Sequence, residues 1–428
     1  MEPSSVAVIA LAVCLFAAIS KKAERSPLTP PMFFVAIGFC LGGEGLGWIQ
    51  LDLDGEGIRF LAEMTLALVL FNDAARINLT CLRHEKSLPA RLLGIAKPLT
   101  IAAGAAAAMA VLPGLGWTEA LLLAAILAPT DASLAPAVVT TQRVPVRIRQ
   151  SLNVESGLND GIALPFVLVF VSMAGAHGEA GDASDWLRLA ALAVTLGPLV
   201  GVAIGFVGGR VISWGTQSGW IGEAFQRIAG LGLAMLAFGA AELVGGNGFI
   251  AAFVAGLTLG NTARGVCKCL YEFGEAEGQL LNLLVFLVFG AAMLPEALSH
   301  LTGDVVLYVL LSLTVVRMVP VGLSLLGTGL RPASVAFLGW FGPRGLGSIL
   351  FTLLVIEEGS LESGPFLAAV AVLTILGSIL LHGLTAYPMA RRYGEYAVTL
   401  ADASAEHGDA PELPVRISHS AHATESAS

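Results

Sequence analysis

A chain of 428 residues that is 56% hydrophobic and only 13% charged does not fit a soluble protein, which carries charges at about a quarter of its positions. The apolar residues form long continuous runs, and this excludes a membrane β-barrel, whose strands give short alternating segments. The formal net charge of −9 excludes little, because membrane orientation depends on where lysine and arginine lie. Composition therefore predicts an all-α polytopic membrane protein.

Thirteen apolar runs follow one another, and roughly 20 apolar residues suffice for a helix to cross a hydrocarbon core of about 30 Å. The first run ends at Lys21, Lys22 and Arg25 without a small-residue cleavage site, which predicts a retained helix and not a signal peptide. The predicted spans are residues 4–20, 29–48, 57–75, 92–112, 119–141, 150–174, 186–212, 226–244, 247–261, 277–298, 303–327, 333–356 and 363–389.

Lysine and arginine are concentrated on alternate loops between these spans. Lys21, Arg147 and Arg391 belong to the basic set, whereas the opposite side holds only Arg59 and Arg188 among many acids. We expect the protein in the inner membrane of the cell. The positive-inside rule then places its N-terminus outside and its C-terminus in the cytoplasm. Residues 395–428 lack any apolar period and predict a disordered cytoplasmic tail after a transmembrane domain of residues 1–394.

The fifth span contains two prolines around a short polar motif. Its sequence is Ala-Pro129-Thr130-Asp131-Ala-Ser-Leu-Ala-Pro136. Each proline removes one backbone hydrogen bond, and we expect this to free the carbonyls of Ala125 and Ala132. A helix opened at membrane depth must be buried or line a cavity. The freed carbonyls, the Thr130 hydroxyl and the Asp131 carboxylate are therefore candidate ligands for an ion.

The sixth span carries polar residues on one face. Asn153, Ser156 and Asp160 share that face at helical spacing, and Asn159 lies beside them. Carboxylate, hydroxyl and amide oxygens are hard ligands suited to an alkali cation. Asp160 also falls near the middle of the span. We expect Asp160 to be the centre of the site.

Further ionisable residues lie in apolar spans, where a charge must pair or face water and is a functional hypothesis by default. Glu155 points away from Asp160 and is expected to pair with an arginine, either Arg317 or Arg344. The alternative for any of these residues is a purely structural ion pair.

The twelfth span is interrupted in the same way as the fifth. Its motif is Gly339-Trp-Phe-Gly342-Pro343-Arg344-Gly345-Leu-Gly347. Two interrupted helices in corresponding positions of two halves indicate an inverted-repeat transporter. Spans 1–6 and 8–13 form the predicted repeats of six helices, with span 7 as the linker, and the two discontinuous helices would cross.

At these residues the chain resembles the monovalent cation:proton antiporters of the NhaP and sodium/hydrogen exchanger type, from about Pro30 to Tyr393. The motifs that carry the resemblance are Thr130-Asp131, Glu155-Ser156-Gly-Leu-Asn159-Asp160, Gly342-Pro343-Arg344-Gly345, Ser378-Ile-Leu-Leu-His382-Gly383 and the glycine-rich run 245–256. One departure is Ala132, since many members have proline after the aspartate that Asp131 matches.

The resemblance implies an NhaA-like fold and a specific role for each of the site residues. Asp160 would bind either the cation or the proton, and Asp131, Thr130 and Ser156 would complete the Na⁺ ligand set, with Asn159 beside them. Glu155 and Arg317 would form a buried ion pair, and Arg344 would lie between the broken ends of the twelfth helix. It further implies a homodimer with a scaffold of spans 1–3 and 7–10 and a mobile core of spans 4–6 and 11–13.

The residues themselves suggest a mechanism in which a proton and a cation compete for one carboxylate. Each neutralises Asp160, and a neutral carrier crosses between facing states more easily than a bare charge. Because Asn159 stands where electrogenic relatives have a second aspartate, we expect electroneutral exchange of Na⁺, Li⁺ or K⁺ for H⁺. No cofactor, covalent intermediate, enzymatic activity or nucleic-acid partner is expected; the partners are monovalent cations, protons and the lipid bilayer.

Two alternatives stay open at this point. A sodium-coupled symporter of an organic anion could use the same fold, with more room beside the broken helices and a second sodium site. A cation channel or a membrane sensor is the alternative from another class. A channel needs no proton coupling, and a sensor needs a folded output domain.

Overall fold

The computed structural model describes residues 3–23, 28–49, 56–79, 87–175, 183–263, 278–358, 361–401 and 404–408. In these ranges the chain is helical, with no β-strand. The helices in chain order are α1 (Pro3–Ala23), α2 (Pro30–Leu41), α3 (Glu56–Ala75), α4 (Ser87–Val111), α5 (Trp117–Ile126), α6 (Pro136–Thr140), α7 (Val146–Gly175), α8 (Ala183–Gln217), α9 (Glu223–Leu243), α10 (Gly248–Thr262), α11 (Gly278–Leu298), α12 (Gly303–Ser324), α13 (Pro332–Trp340), α14 (Leu346–Glu358) and α15 (Gly364–Ala397).

The helices follow the apolar runs of the sequence. Among the described residues, six of them are long and apolar enough to cross a membrane, and further apolar helices are shorter. The fifth predicted span is divided between α5 and α6, and the twelfth between α13 and α14. The prediction of an all-α polytopic membrane protein is confirmed. The count of thirteen crossings and the inverted repeat stay predictions.

Two groups of helices pack among themselves. In one group α8 and α9 lie against α10, which in turn packs closely on α3. In the other group α4 contacts both α5 and α12, and α14 packs against α15. Small residues permit the closest approach: a side chain at Gly256 or Gly260 of α10 would overlap the backbone of Phe71 or Ala75 in α3. Close backbone packing of this kind stabilises helix pairs in a bilayer, where the hydrophobic effect is absent.

Two helices contain a turn with wider spacing. α4 has a π-helical turn at Leu92–Ala96, and α11 has one at Phe289–Met293. Such turns shift the register of the side chains that follow and are frequent at functional sites. In α4 the turn ends immediately before Lys97.

The predicted tail differs from the structure at its beginning. α15 continues to Ala397, beyond the predicted boundary at residue 395, and a short 3₁₀ turn follows at Ala405–His407. Glu406 in this turn is fully buried. Residues 404–408 thus include a short turn that a buried carboxylate holds against the helices, and the disorder of the tail stays a prediction. The rest of the tail lies outside the described residues.

Candidate cation and proton site

The interrupted helices meet at their breaks. Between α5 and α6 the chain runs without helical bonds from Ala128 to Asp131, and between α13 and α14 it does so from Phe341 to Gly345. The backbone N–H of Asp131 donates to the Pro343 carbonyl at 2.7 Å. Proline causes both breaks, because it lacks an N–H and its ring clashes with the preceding turn.

The Asp131 side chain joins the two breaks a second time. Its Oδ1 accepts from the N–H of Ser133 at 2.9 Å, and its Oδ2 accepts from the N–H of Leu346 at 3.1 Å. Leu346 is the first residue of α14, so the carboxylate lies at the positive end of that helix dipole. Asp131 is 6% exposed. This environment stabilises a negative charge that is built into the crossing.

Three glycines in and just after the second break each lie against a different charged side chain. A methyl group on Gly347 would be 2.5 Å from Oδ1 of Asp160. A methyl group on Gly345 would overlap the Asp131 carboxylate, and one on Gly342 would overlap the Arg317 guanidinium. These positions need glycine because the backbone itself touches the charges.

Asp160 lies on α7, fourteen residues after its first residue, Val146, and its side chain is half-buried. Ser156, one turn earlier, accepts a hydrogen bond from the N–H of Ala132 at 3.0 Å. Thr130 is held on the other side: Asn159 donates from Nδ2 to the Thr130 carbonyl at 3.2 Å and also to its hydroxyl. The structure thus brings the predicted site residues together where α7 passes the first break.

Glu155 points away from this cluster and pairs with Arg317. Its two carboxylate oxygens contact the guanidinium at 2.6 and 2.8 Å, and both side chains are about 1% exposed. Arg344 makes a different contact: its Nη1 donates to the Gly342 carbonyl at 2.9 Å, within the break of the twelfth span. The spacing of the sequence left two possible partners for Glu155, and the structure pairs it with Arg317.

The carbonyls expected to be freed by proline are occupied. Ala125 O accepts from the N–H of Ala128 and Ala132 O from the N–H of Ala135, both at 3.2 Å. Neither carbonyl is left without a hydrogen bond, and their role as ion ligands stays a prediction. Tight local turns satisfy them, as they do at many helix ends.

Sequence reasoning missed two side chains that hold the ends of the interrupted helices. The Lys97 ammonium, 1% exposed, donates to the Ala128 carbonyl at 3.1 Å, just past α5. His382 Nε2 lies 3.0 Å from the Trp340 carbonyl at the end of α13, where a ring N–H can donate. The motif Ser378-Ile-Leu-Leu-His382 was the signal for the second, and Ser378 also accepts from the N–H of Arg344 at 2.6 Å.

A small cavity lies beside the two breaks. It is lined by Thr130, Ala132, Ala135, Val138, Val139, Leu152, Ser156, Phe341 and Pro343. The predicted ligands Thr130 and Ser156 are among its lining residues, and Asp160 lies one helical turn after Ser156 on α7.

Interrupted helices that cross around a midspan carboxylate define a secondary transporter for ions. The family model described as "Sodium/hydrogen exchanger, transmembrane" matches residues 9–392. The chain therefore belongs to the sodium/hydrogen exchanger family, and the resemblance seen in the sequence is confirmed.

Relatives of known name are antiporters. The chain is 25% identical over 399 residues to the K⁺/H⁺ antiporter NhaP of Alkalimonas amylolytica. The aligned part covers 91% of this chain and 67% of that protein. It is 23% identical to the K⁺/H⁺ antiporter NhaP2 of Shewanella sp. strain MR-4, over 89% of this chain and 66% of the relative. A Na⁺/H⁺ antiporter 2 of Zygosaccharomyces rouxii is 29% identical over 59% of this chain and 33% of its own length. The chain spans about two thirds of the length of these bacterial relatives.

The fold is also that of a solved structure. The sodium proton antiporter MjNhaP1 of Methanocaldococcus jannaschii superposes with a TM-score of 0.75 at 20% identity, over 92% of this chain and 98% of that one. This likeness defines the fold, and it confirms the prediction of an antiporter architecture.

Proposed function

We propose that this chain exchanges Na⁺, Li⁺ or K⁺ for H⁺ across a membrane, with one cation and one proton competing for Asp160. The observation that carries the proposal is the contact of Asp160 with the backbone of Gly347, which places a half-buried carboxylate at the crossing of the two interrupted helices. Thr130, Ser156 and Asp131 supply the remaining oxygens, with Asn159 holding Thr130 in place. A symporter of organic anions has no support among the named relatives.

Competition for one carboxylate explains antiport. An ionised Asp160 attracts either a proton or a cation, and each removes the charge that would otherwise be costly to move through the protein. A transporter that changes its open side only when Asp160 is neutralised must therefore carry one species each way. Alternating access of this type needs neither a cofactor nor a covalent intermediate.

The open cavity supports an assignment of sides. Its lining residues Val138, Val139 and Leu152 belong to one hydrophobic cluster with Ile148, near the start of α7, where Arg147 and Arg149 lie. With the basic loops in the cytoplasm, the N-terminus is outside and the cavity faces inward. The proposal includes a homodimer in the cell membrane, with α1–α3 and α8–α11 as scaffold and α4–α7 and α12–α15 as the moving core.

Reconstitution in liposomes tests the function. With a pH-sensitive dye inside and a pH gradient imposed, addition of Na⁺, K⁺ or Li⁺ should collapse the gradient in liposomes that contain the purified protein. Asp160→Asn keeps the shape of the side chain but binds no proton, so this variant should be inactive while its elution on size exclusion is unchanged. Cation-dependent collapse by Asp160→Asn would contradict the site assignment, and no collapse by the wild type would contradict exchange itself.

A further inference from the structure

Lys97 is a buried lysine to which the exchange mechanism gives no role. It lies in α4, ten residues after Ser87, and its Nζ donates to Ala128 O at 3.1 Å. Ala128 directly follows the last turn of α5, so the ammonium lies at the negative end of that helix dipole. Only 1% of Lys97 is exposed. A cation so deep in an apolar span is costly and calls for an electrostatic reason.

The charges around the crossing provide that reason. Lys97 interacts electrostatically with Glu155, Arg317, Arg344 and Asp160. Among the described residues at the crossing, three acids and three bases are present: Asp131, Glu155, Asp160, Lys97, Arg317 and Arg344. These six charges cancel when Asp160 is ionised. Without Lys97 the empty site would carry a net charge of −1.

Building on the exchange function proposed above, we propose that Lys97 is a positioning residue that lowers the cation affinity of the site. Its hydrogen bond holds Ala128, which follows α5 and precedes the ligand Thr130 by two residues. Its charge repels the cation that binds Asp160. Transport requires a cation that is bound weakly enough to leave, and a fixed positive charge nearby meets this need.

Three substitutions separate the hydrogen bond from the charge. Lys97→Arg keeps both, Lys97→Gln keeps a donor for Ala128 O without the charge, and Lys97→Met removes both at similar length. Arg210→Gln, on the exposed side of α8, is the control for loss of a positive charge elsewhere. Each variant is reconstituted, and initial rates are measured against Na⁺ concentration at a series of pH values from neutral upward, so that competition by protons is separated from the affinity for Na⁺.

Lys97→Gln and Lys97→Met should lower KM for Na⁺ roughly tenfold, because they remove the repulsion between one unit charge and the bound cation. Their kcat should not rise, and Lys97→Arg and Arg210→Gln should keep the wild-type KM. A purely structural role predicts the opposite split: less active protein and lower kcat at unchanged KM.

An unchanged or raised KM in Lys97→Gln overturns the proposal. If Lys97→Met fails to fold, Lys97→Gln still tests the proposal. A second measurement is the stabilisation of the detergent-solubilised variant by Na⁺ against thermal unfolding. The Na⁺ concentration that gives half of this stabilisation should be about tenfold lower in the variant. If the wild type exchanges cations and the variants keep its KM, the role of Lys97 is refuted and the proposed function is not. Absence of exchange in the wild type refutes the proposed function.

Discussion

Arg317 serves two contacts at once. Its guanidinium forms one hydrogen bond and a second ion-pair contact with Glu155, and its Nε side lies against the backbone at Gly342. The ion pair thereby connects α7 with α12 and supports the break between α13 and α14. Glu155 and Arg317 are buried away from water, so neither charge can be solvated if the other is removed.

Glu155→Ala should destabilise the protein much more than Asp160→Asn. Loss of one partner of a buried ion pair typically costs about 3–5 kcal/mol, because the other charge remains unpaired. Asp160 is half-buried beside the cavity, and asparagine keeps its shape. The apparent melting temperature of the detergent-solubilised variants measures the difference.

A double replacement is the control for this ion pair. Glu155→Met combined with Arg317→Met removes both charges and should recover much of the stability that either single change loses. Equal melting temperatures for Glu155→Ala and Asp160→Asn would show that the pair does not hold α7 to α12.

At the scale of elements, the docked tail caps a helix from a distance in sequence. Glu406 accepts from the N–H of Arg331 at 2.7 Å and from the hydroxyl of Ser334 at 2.8 Å, at the N-terminus of α13. Tyr393 donates to the same Ser334 oxygen. Arg147 of α7 donates to the Ala405 carbonyl. A carboxylate from the tail thus binds the N–H of the residue that precedes α13 and a hydroxyl of its first turn.

The pKa of Glu406 lies below its usual range. Burial acts to raise it, but the hydrogen bonds from the Arg331 N–H and the Ser334 hydroxyl favour the ionised form and outweigh burial. Because the folded pKa is depressed, the docking free energy is fully present above the ordinary glutamate pKa of about 4.3. It is lost as the pH falls through the lower value of the docked tail.

Glu406→Gln should therefore loosen residues 404–408 at neutral pH, where the wild-type tail is docked. Hydrogen bonds to a charged group contribute about 1.5–3 kcal/mol each, so amide hydrogen exchange in this segment should accelerate at least about tenfold. Exchange measured by mass spectrometry reports the change. Glu395→Gln, which removes an exposed partner of Arg391, is the matched control and should leave the segment protected. Equal protection in Glu406→Gln would show that other contacts hold the tail.

For the whole molecule, the sequence predicted the helices and the breaks better than the contacts. Proline and glycine punctuate both interrupted spans, and midspan charges are rare enough to identify Asp131 and Asp160. Lys97 was not recognised as a buried charge because the predicted span began at residue 92. That start placed Lys97 near a membrane surface, where a lysine side chain can extend to water. α4 begins at Ser87 instead, and the π-helical turn before Lys97 cannot be recognised from hydropathy.

Exchange by the complete transporter should be electroneutral. Asn159 has no titratable group, and it is committed to Thr130 through its Nδ2. If Asp131 and Lys97 keep the same protonation in both facing states, one proton replaces one cation and no net charge moves. A membrane potential imposed with potassium and valinomycin should then leave the Na⁺-driven pH change almost unaffected.

The contrary result has a definite meaning. A strong dependence of the rate and the end point of exchange on potential would refute electroneutrality, because a second proton would have to move with each cycle. Asp131 is the group placed to carry it. Liposomes without protein give the passive response to the same potential, and Asp160→Asn gives the response of the inactive carrier.

The backbone hydrogen bond from Asp131 to Pro343 has a consequence for ion selectivity. Together with the bond from Leu346 to the Asp131 carboxylate, it removes the freedom of the two breaks to bend independently. If the four half-helices travel as one rigid body, the oxygen cage around the cation keeps the same dimensions on its way through the membrane. The protein would then rank alkali cations in the same order at its inner and outer faces, whichever way the gradients drive it.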